Sequence, residues 1–434
     1  MNLDQKLQQL KKAAAKSIRD RELERQLEYL RRMEESPRKL PAQRVPKAIE
    51  EYVEGSVRSN AEGEFFLARQ AIPFGRPYGK FRISDLAAAD LSTLSLVLDH
   101  IPLPDPTKLV YLDTETTGLA GGTGTCAFLI GIGTLEGSQF VVRQFFLRDY
   151  PEEKAVLAEL AEVLAAYEGV VTFNGKTFDI PLLETRYTLA RMRAPFRRMM
   201  HLDLLHPARR LWKLRLASCE LTNLEKGILG IARKGDVPGS EIPQIYFDYL
   251  RTGNAQHLQP VFFHNALDIV TLAALTVEMA RALREEEGAL ASSLDLFSLS
   301  RILARARVID RSAEVCRQAL TQGLPETVEA QALWQLAAQH KRRREHEQAV
   351  ELWKVLATRE EPLALRALEE LAIHYEHRTR DAAAALVFAT AAIDRLGQTS
   401  PTSPQVKRFS KRLDRLRKKS LAEKSVTLPV AKLD

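Results

Sequence analysis

The sequence predicts an α/β domain, a mixed sheet flanked by helices, followed by an all-α helical-repeat domain. Three observations carry this prediction. Between residues 107 and 287, short apolar runs bounded by turn signals alternate with stretches of helical spacing. Beyond residue 290 every segment has a helical pattern, and LWQLAAQHKRRREHEQAVELWKVLA aligns with LEELAIHYEHRTRDAAAALVFATAA at an offset of 35, Leu336 on Leu371 and Ala349 on Ala384. Candidate metal-binding acids fall at the ends of the strands and helices of the first region.

Taken in order, residues 1–50 are charged and helix-prone until Pro37, Pro41 and Pro46. Residues 51–106 read as an N-terminal extension and linker, ending in IPLPDPTK. KLVYLDT is the first clear strand. CAFLIGIGTL and QFVVRQFFL are two more, joined as a hairpin by Glu136-Gly137-Ser138. PEEKAVLAELAEVLAAY starts with proline and two acids and continues at helical spacing. GVVTFNG is a strand, Phe178 to Arg191 a helix, and MMHLDLL a strand. A helix from about His257 to Glu286 closes the domain at 107–287. The repeats occupy 290–400, with a weaker first copy in LSRILARARVIDRSAEVCRQAL, and a basic tail fills 401–434.

The chain has 434 residues, a formal net charge of +7 and a pI near 9.2, mild support for an anionic partner such as nucleic acid. Cys126, Cys219 and Cys316 form no CxxC pair, which predicts neither a disulfide framework nor a zinc site. The N-terminus has no apolar core of signal-peptide length, and no apolar run reaches 18 residues. A cytoplasmic protein with no membrane contact is expected.

The stretch LDTETTGLAGGTGT places Asp113 and Glu115 just before Gly118, Gly121, Gly122 and Gly124. It is not a Walker loop, because no lysine follows the glycines. It is not a dinucleotide turn, because an apparent strand follows rather than a helix. A metal site fits better. Period-2 geometry puts both acids on one side of a strand, and hard oxygen ligands suit Mg²⁺ or Mn²⁺. The glycines either border the site, where a ligand could approach the backbone closely, or form a turn without contact. Further acids follow. VTFNGKTFDIP supplies Asn174 and Asp179, the latter at a loop-to-helix junction where an N-cap is the alternative role. FFHNALDIVTLAAL supplies His264 and Asp268, which at i and i+4 share one helix face.

Asp113-x-Glu115, Asn174-xxx-Phe178-Asp179 and His264-xxx-Asp268 together resemble the DEDD 3′–5′ exonuclease superfamily of the ribonuclease H-like fold. NGKTFDIPLL resembles the second exonuclease motif of family B polymerases. DTETTGLAGGTGT, LDLLHPARRLW and DVPGSEIPQIYFDYLRTG resemble the bacterial YprB-type proteins, many with tetratricopeptide-like C-termini. The resemblance covers about 107–285 and implies that Asp113, Glu115, Asp179 and Asp268 bind two Mg²⁺ or Mn²⁺ ions. It implies that His264 handles the attacking water, and that nucleoside 5′-monophosphates leave a 3′ end of DNA or RNA. Thr116, Gly118, Asn174, Lys176 and Phe178 are the candidate substrate contacts. One departure stands out. A histidine base in that superfamily usually precedes the last Asp by five positions, and here the spacing is four, a rotation of about 100° on a helix.

Other residues have weaker signals. Asp203, between His201 and His206, reads as a strand-end acid that lines the cleft, or as part of a metal cluster. Arg186, Arg191, Arg193, Arg197 and Arg198 either track a nucleic-acid backbone or form a solvated face. Trp212, Trp334 and Trp353 have core spacing. KRFSKRLDRLRKKSLAEK holds nine Lys or Arg against two acids, fitting a capping helix or a nucleic-acid contact. The repeats are candidates for a protein partner, and a nucleic-acid-binding or scaffold protein with little catalysis is the alternative to an exonuclease.

Overall fold

A computed structural model describes residues 48–118, 124–286, 289–290, 292–359, 362–399 and 404–426. The expected charged helix before residue 48, and Gly121 and Gly122, lie outside the described residues. The first elements form an antiparallel pair, β1 (Gly55–Asn60) and β2 (Gly63–Pro73). β1 is almost wholly exposed, as befits an edge, whereas Phe65, Phe66, Ala68 and Ile72 of β2 are buried. A small ribbon of β3 (Pro77–Tyr78) and β4 (Phe81–Arg82) leads into α1 (Ile83–Ala87). The segment read as extension and linker therefore contributes two strands to the main sheet.

That sheet continues with β5 (Leu109–Thr116), β6 (Ala127–Glu136) and β7 (Gln139–Phe146). The β6–β7 hairpin pairs Glu136 with Gln139, and Gly137 takes φ +57° in its two-residue turn. After α2 (Glu153–Leu164) come β8 (Gly169–Thr172), α3 (Asp179–Leu189), β9 (Met200–Asp203) and α4 (Leu205–Trp212). The strand order is β1-β2-β7-β6-β5-β8-β9. β5, β8 and β9 are parallel neighbours, so their C-terminal ends open on one edge of the sheet, where α/β folds place ligands. Short α5 (Leu221–Leu224) and α6 (Ile242–Thr252) follow, and then α7 (Gln259–Arg284).

α7 crosses β5 and β6. By length and composition it could cross a membrane, but here Ile269 to Ala280 are all buried in the fold. Two glycines let it approach the sheet. A Cβ at Gly131 would lie 2.1 Å from Asn265 Oδ1 and 2.4 Å from Ile269 Cδ1, and one at Gly133 2.5 Å from Ile269 Cγ2. Gly131→Ala is expected to push α7 off β6 at a cost of about 1–3 kcal/mol. A thermal melt together with a metal titration checks this, because the face displaced carries Asn265 and its neighbours.

The helical region stacks α8 (Ser293–Arg305), α9 (Ile309–Thr321), α10 (Glu326–Arg342), α11 (His346–Ala357), α12 (Pro362–His377), α13 (Ala382–Thr399) and α14 (Pro404–Val426). Arg307, Arg344 and Arg380 take the left-handed conformation between the two helices of successive pairs, a structural echo of the sequence repeat. Trp212 and Trp353 are buried, while Trp334 is partly buried under Arg366. Within the basic tail, the described residues Pro404–Val426 form a packed helix. Phe409, Leu413 and Leu416 are buried, and Arg415 and Lys419 bond the buried Glu376 of α12 at 2.8 and 3.2 Å.

One apolar cluster covers a face of the sheet and runs without interruption from Tyr111 through Leu272 and Leu283 to Phe297 and Ala332. The opposite face packs on α2, α3 and α6.

Candidate metal centre

The site grows from the end of β5. Leu109 to Leu112 are fully buried, but the alternation then leaves Asp113 and Glu115 half-buried on one side, with Thr114 turned into the fold. Thr114 Oγ1 donates to Asp179 Oδ1 at 2.5 Å. Phe178 occupies the N-cap of α3, so Asp179 is the first helical residue and its carboxylate is held toward β5 rather than over the helix end. From α7, Asn265 Nδ2 donates to Asp113 Oδ2 at 2.9 Å, while Gln144 of β7 donates to Asn265 Oδ1 at 2.9 Å. A sheet residue thereby fixes the amide that fixes the first acid.

His264 and Asp268 lie on the neighbouring face of α7. One ligand atom each from Glu115, His264 and Asp268 fall within 4.8 Å of one another. The four-residue spacing does not turn the imidazole away. His264 Nε2 lies 3.5 Å from Asp268 Oδ2, and its Nδ1 lies 2.8 Å from Asp236 Oδ1. Arg233 joins the group, donating to Asp268, to Asp236 at 3.0 Å, and to the buried Glu225 at 2.6 and 2.7 Å. Tyr78 and Thr271 bond Glu225 from the other side.

Electrostatics follow from this crowding. Burial, and then the neighbouring Asp268, Glu115 and Asp179, hold the Asp113 carboxyl well above the usual carboxylate range. Burial followed by Asp268 and Asp179 pushes Glu115 up to about 8. Burial raises Asp179 to about 6 against the opposing Thr114 bond. Burial also raises Asp268 despite Arg233. Asp236 moves the other way. Its partial burial is outweighed by Arg233 and His264, which lower it. The cluster thus has more acid than its arginine can neutralise, and its donors are carboxylate oxygens with one imidazole. Such a set fits hard divalent cations of the Mg²⁺ or Mn²⁺ type.

The RNase H superfamily pattern matches residues 110–280, which span β5 through most of α7. The chain is also 30% identical over 336 residues to the uncharacterized protein YprB of Bacillus subtilis (strain 168), covering 76% of this chain and 80% of that one. The chain belongs to the YprB-like RNase H superfamily. A family B DNA polymerase from the hyperthermophilic archaeon Pyrobaculum calidifontis matches 47% of this chain and 30% of its own length, at 13% identity and a TM-score of 0.32. Nucleases of the RNase H-like fold generally use divalent metals on nucleic acid, and the membership supports chemistry of that type here.

In this RNase H-like domain the other expected residues take distinct places. Thr116 is buried, and its Oγ1 donates to Gly118 O at 2.9 Å, bracing the backbone just past β5. Asn174 and Lys176 are exposed and Phe178 half-buried, all on the loop between β8 and α3. Asp203 braces that loop. It is buried and accepts the backbone N–H groups of Asn174 at 2.8 Å, Lys176 at 3.0 Å and Leu205 at 3.1 Å. No metal cluster forms around it among the described residues. His201 is bonded to Thr172 at 2.8 Å and is lowered to about 4 by burial and Lys176. Asp203→Ala is expected to release the loop and reduce turnover by roughly 10²-fold, as a misplacement of about 1 Å does. Steady-state assays with a thermal melt test this, since the fold itself should persist. Arg186 is no backbone-tracking cation, because it is paired bidentately to Glu153 at 2.5 and 2.6 Å.

Four participants escaped the sequence reading: Asn265, Arg233, Asp236 and Glu225. Asn265 had a faint signal, a polar residue at a position facing the sheet. Arg233 and Asp236 reach the site only through the course of the chain after the turn at Gly230, which takes φ +71°.

Proposed function

We propose that the protein is a 3′–5′ exonuclease that hydrolyses phosphodiesters with two divalent metal ions. The observation that carries this reading is the convergence of Asp113, Glu115, Asp179 and Asp268 beside an imidazole oriented by Asp236. Bound at this cluster, Mg²⁺ or Mn²⁺ would polarise the phosphodiester and ease ionisation of the attacking water.

The chain's own groups do the rest. Asp236 Oδ1 at 2.8 Å from Nδ1 orients His264, so that a neutral imidazole donating Nδ1–H to Asp236 would turn a free Nε2 toward the centre. That nitrogen takes the proton of the water as its oxygen attacks phosphorus, and the bond to the leaving 3′-oxygen breaks. A nucleoside 5′-monophosphate results. Thr114 and Asn265 keep the carboxylates aimed, and the Asn174–Phe178 loop, held by Asp203, would contact the terminal nucleotide.

The test uses single-stranded DNA and RNA labelled at the 5′ end, with Mg²⁺ or Mn²⁺. Progressive shortening with release of 5′-mononucleotides is expected, and the preferred sugar emerges from the comparison. Immediate release of the labelled terminal nucleotide, or cleavage of a circular strand, would rule out a 3′–5′ exonuclease. Binding without any degradation would favour the scaffold reading.

A further inference from the structure

A cleft of about 570 Å³ lies between α4 and α8, where the RNase H-like domain meets the first helix of the repeats. Arg209, Arg210 and Lys213 line it from the α4 side, and Arg301 and Arg305 from α8. All five are exposed, and among the described residues no acid lines the cleft. Cations late in a helix can serve the helix dipole alone. Here, however, two helices aim theirs into one cleft without counter-charge. The floor adds an independent sign. Ser298 is 1% exposed, and its Oγ has no hydrogen-bond partner, though buried hydroxyls ordinarily find one.

The cleft has a fixed shape. Arg215 pairs with the fully buried Asp295 at 2.8 Å, and Trp212 and Phe297 belong to one apolar cluster. It is also joined through α4 to the loop beside the candidate centre. Asp203 bonds both the Asn174–Lys176 loop and the N–H of Leu205, the first residue of α4. Arg209 to Lys213 therefore begin roughly 6 Å along the helix from that loop's anchor.

We propose that this cleft binds the phosphate backbone of the nucleic-acid strand whose 3′ end enters the carboxylate centre, over the unpartnered Ser298 hydroxyl at its floor. The proposal rests on the exonuclease reading for its ligand. Charge without base-specific groups makes it a sequence-independent grip.

The test measures binding of a fluorescent single-stranded 20-mer to the full chain in EDTA, across a salt series. The variant is Arg209→Gln/Lys213→Gln/Arg301→Gln/Arg305→Gln. A charge-matched control replaces Lys407, Lys411, Arg417 and Lys418 of α14, all exposed, with Gln. The cleft variant should weaken binding at least about tenfold at low salt and flatten the log–log salt slope by about 3. The control should do neither, and both should melt like the parent. Equal effects in the two variants would reduce the cleft to net charge and overturn it. Parent-like binding by the cleft variant would also overturn it, leaving the exonuclease reading standing. Failure of the parent to bind any oligonucleotide would sink both.

Discussion

Asp113→Asn is expected to lower metal-dependent hydrolysis by at least about 10³-fold, the loss of several kcal/mol of charge stabilisation. The same change is expected to make the metal-free protein more stable near neutral pH. Asp113 stands against Glu115, Asp179 and Asp268 in a partly dry site that disfavours its ionised form, and a neutral amide has no such form to disfavour. Asparagine keeps the shape, and its amide oxygen can still accept from Asn265. Opposite signs in the two readouts separate a functional acid from a structural one. Turnover assays and chemical denaturation in EDTA test the pair. An Asp113→Asn protein that is both active and destabilised would contradict the role given to this acid.

The second large effect is on pH dependence. Glu115 is raised to about 8 and Asp179 to about 6, and Asp113 and Asp268 are raised as well. A carboxyl raised in the folded state holds its proton more tightly there than in the unfolded chain. Its contribution is complete below the unfolded value and is lost as pH climbs through the folded one. The metal-free protein should therefore lose stability between about pH 4.5 and about pH 8, by on the order of a few kcal/mol. Divalent metal binds the deprotonated cluster, so its stabilising effect should grow over the same window, by about 5 °C in melting temperature. Melts with and without Mg²⁺ at the two ends measure this directly. A metal shift that is equal at both ends, or larger at low pH, would mean that the carboxyls titrate normally.

Much of the fold was legible because β5, β6, β7 and β8 are buried on both faces and spell continuous apolar runs. β1 was invisible for the opposite reason. It is an exposed edge strand, paired through its backbone to β2, and backbone pairing leaves no mark on side-chain pattern. Asp113 with Glu115, and His264 with Asp268, were legible because each pair lies on one element, where spacing fixes direction. Asp236 and Arg233 were not, because a loop's route rather than a period brings them to His264 and Asp268. The histidine spacing that departed from the superfamily habit is accommodated through Asp236, a partner 28 residues away in sequence that opens the DVPGSEIPQ stretch but that no spacing singled out.

The apolar cluster that runs from β5 through α7 into α8 and α9 has a practical consequence. The change from mixed to helical text near residue 290 looks like a place to cut, yet the cut would pass through a shared interior. A fragment ending after α7 would bare the surfaces of Trp212 and Leu283 that Phe297 and its neighbours now cover. It would thus be prone to aggregate, and its inactivity would say nothing about the catalytic groups. By the same continuity, a load hung on the repeats reaches α7 without a slack tether between them. The helix that bears Asp268 is therefore also the beam on which the C-terminal helical region is mounted.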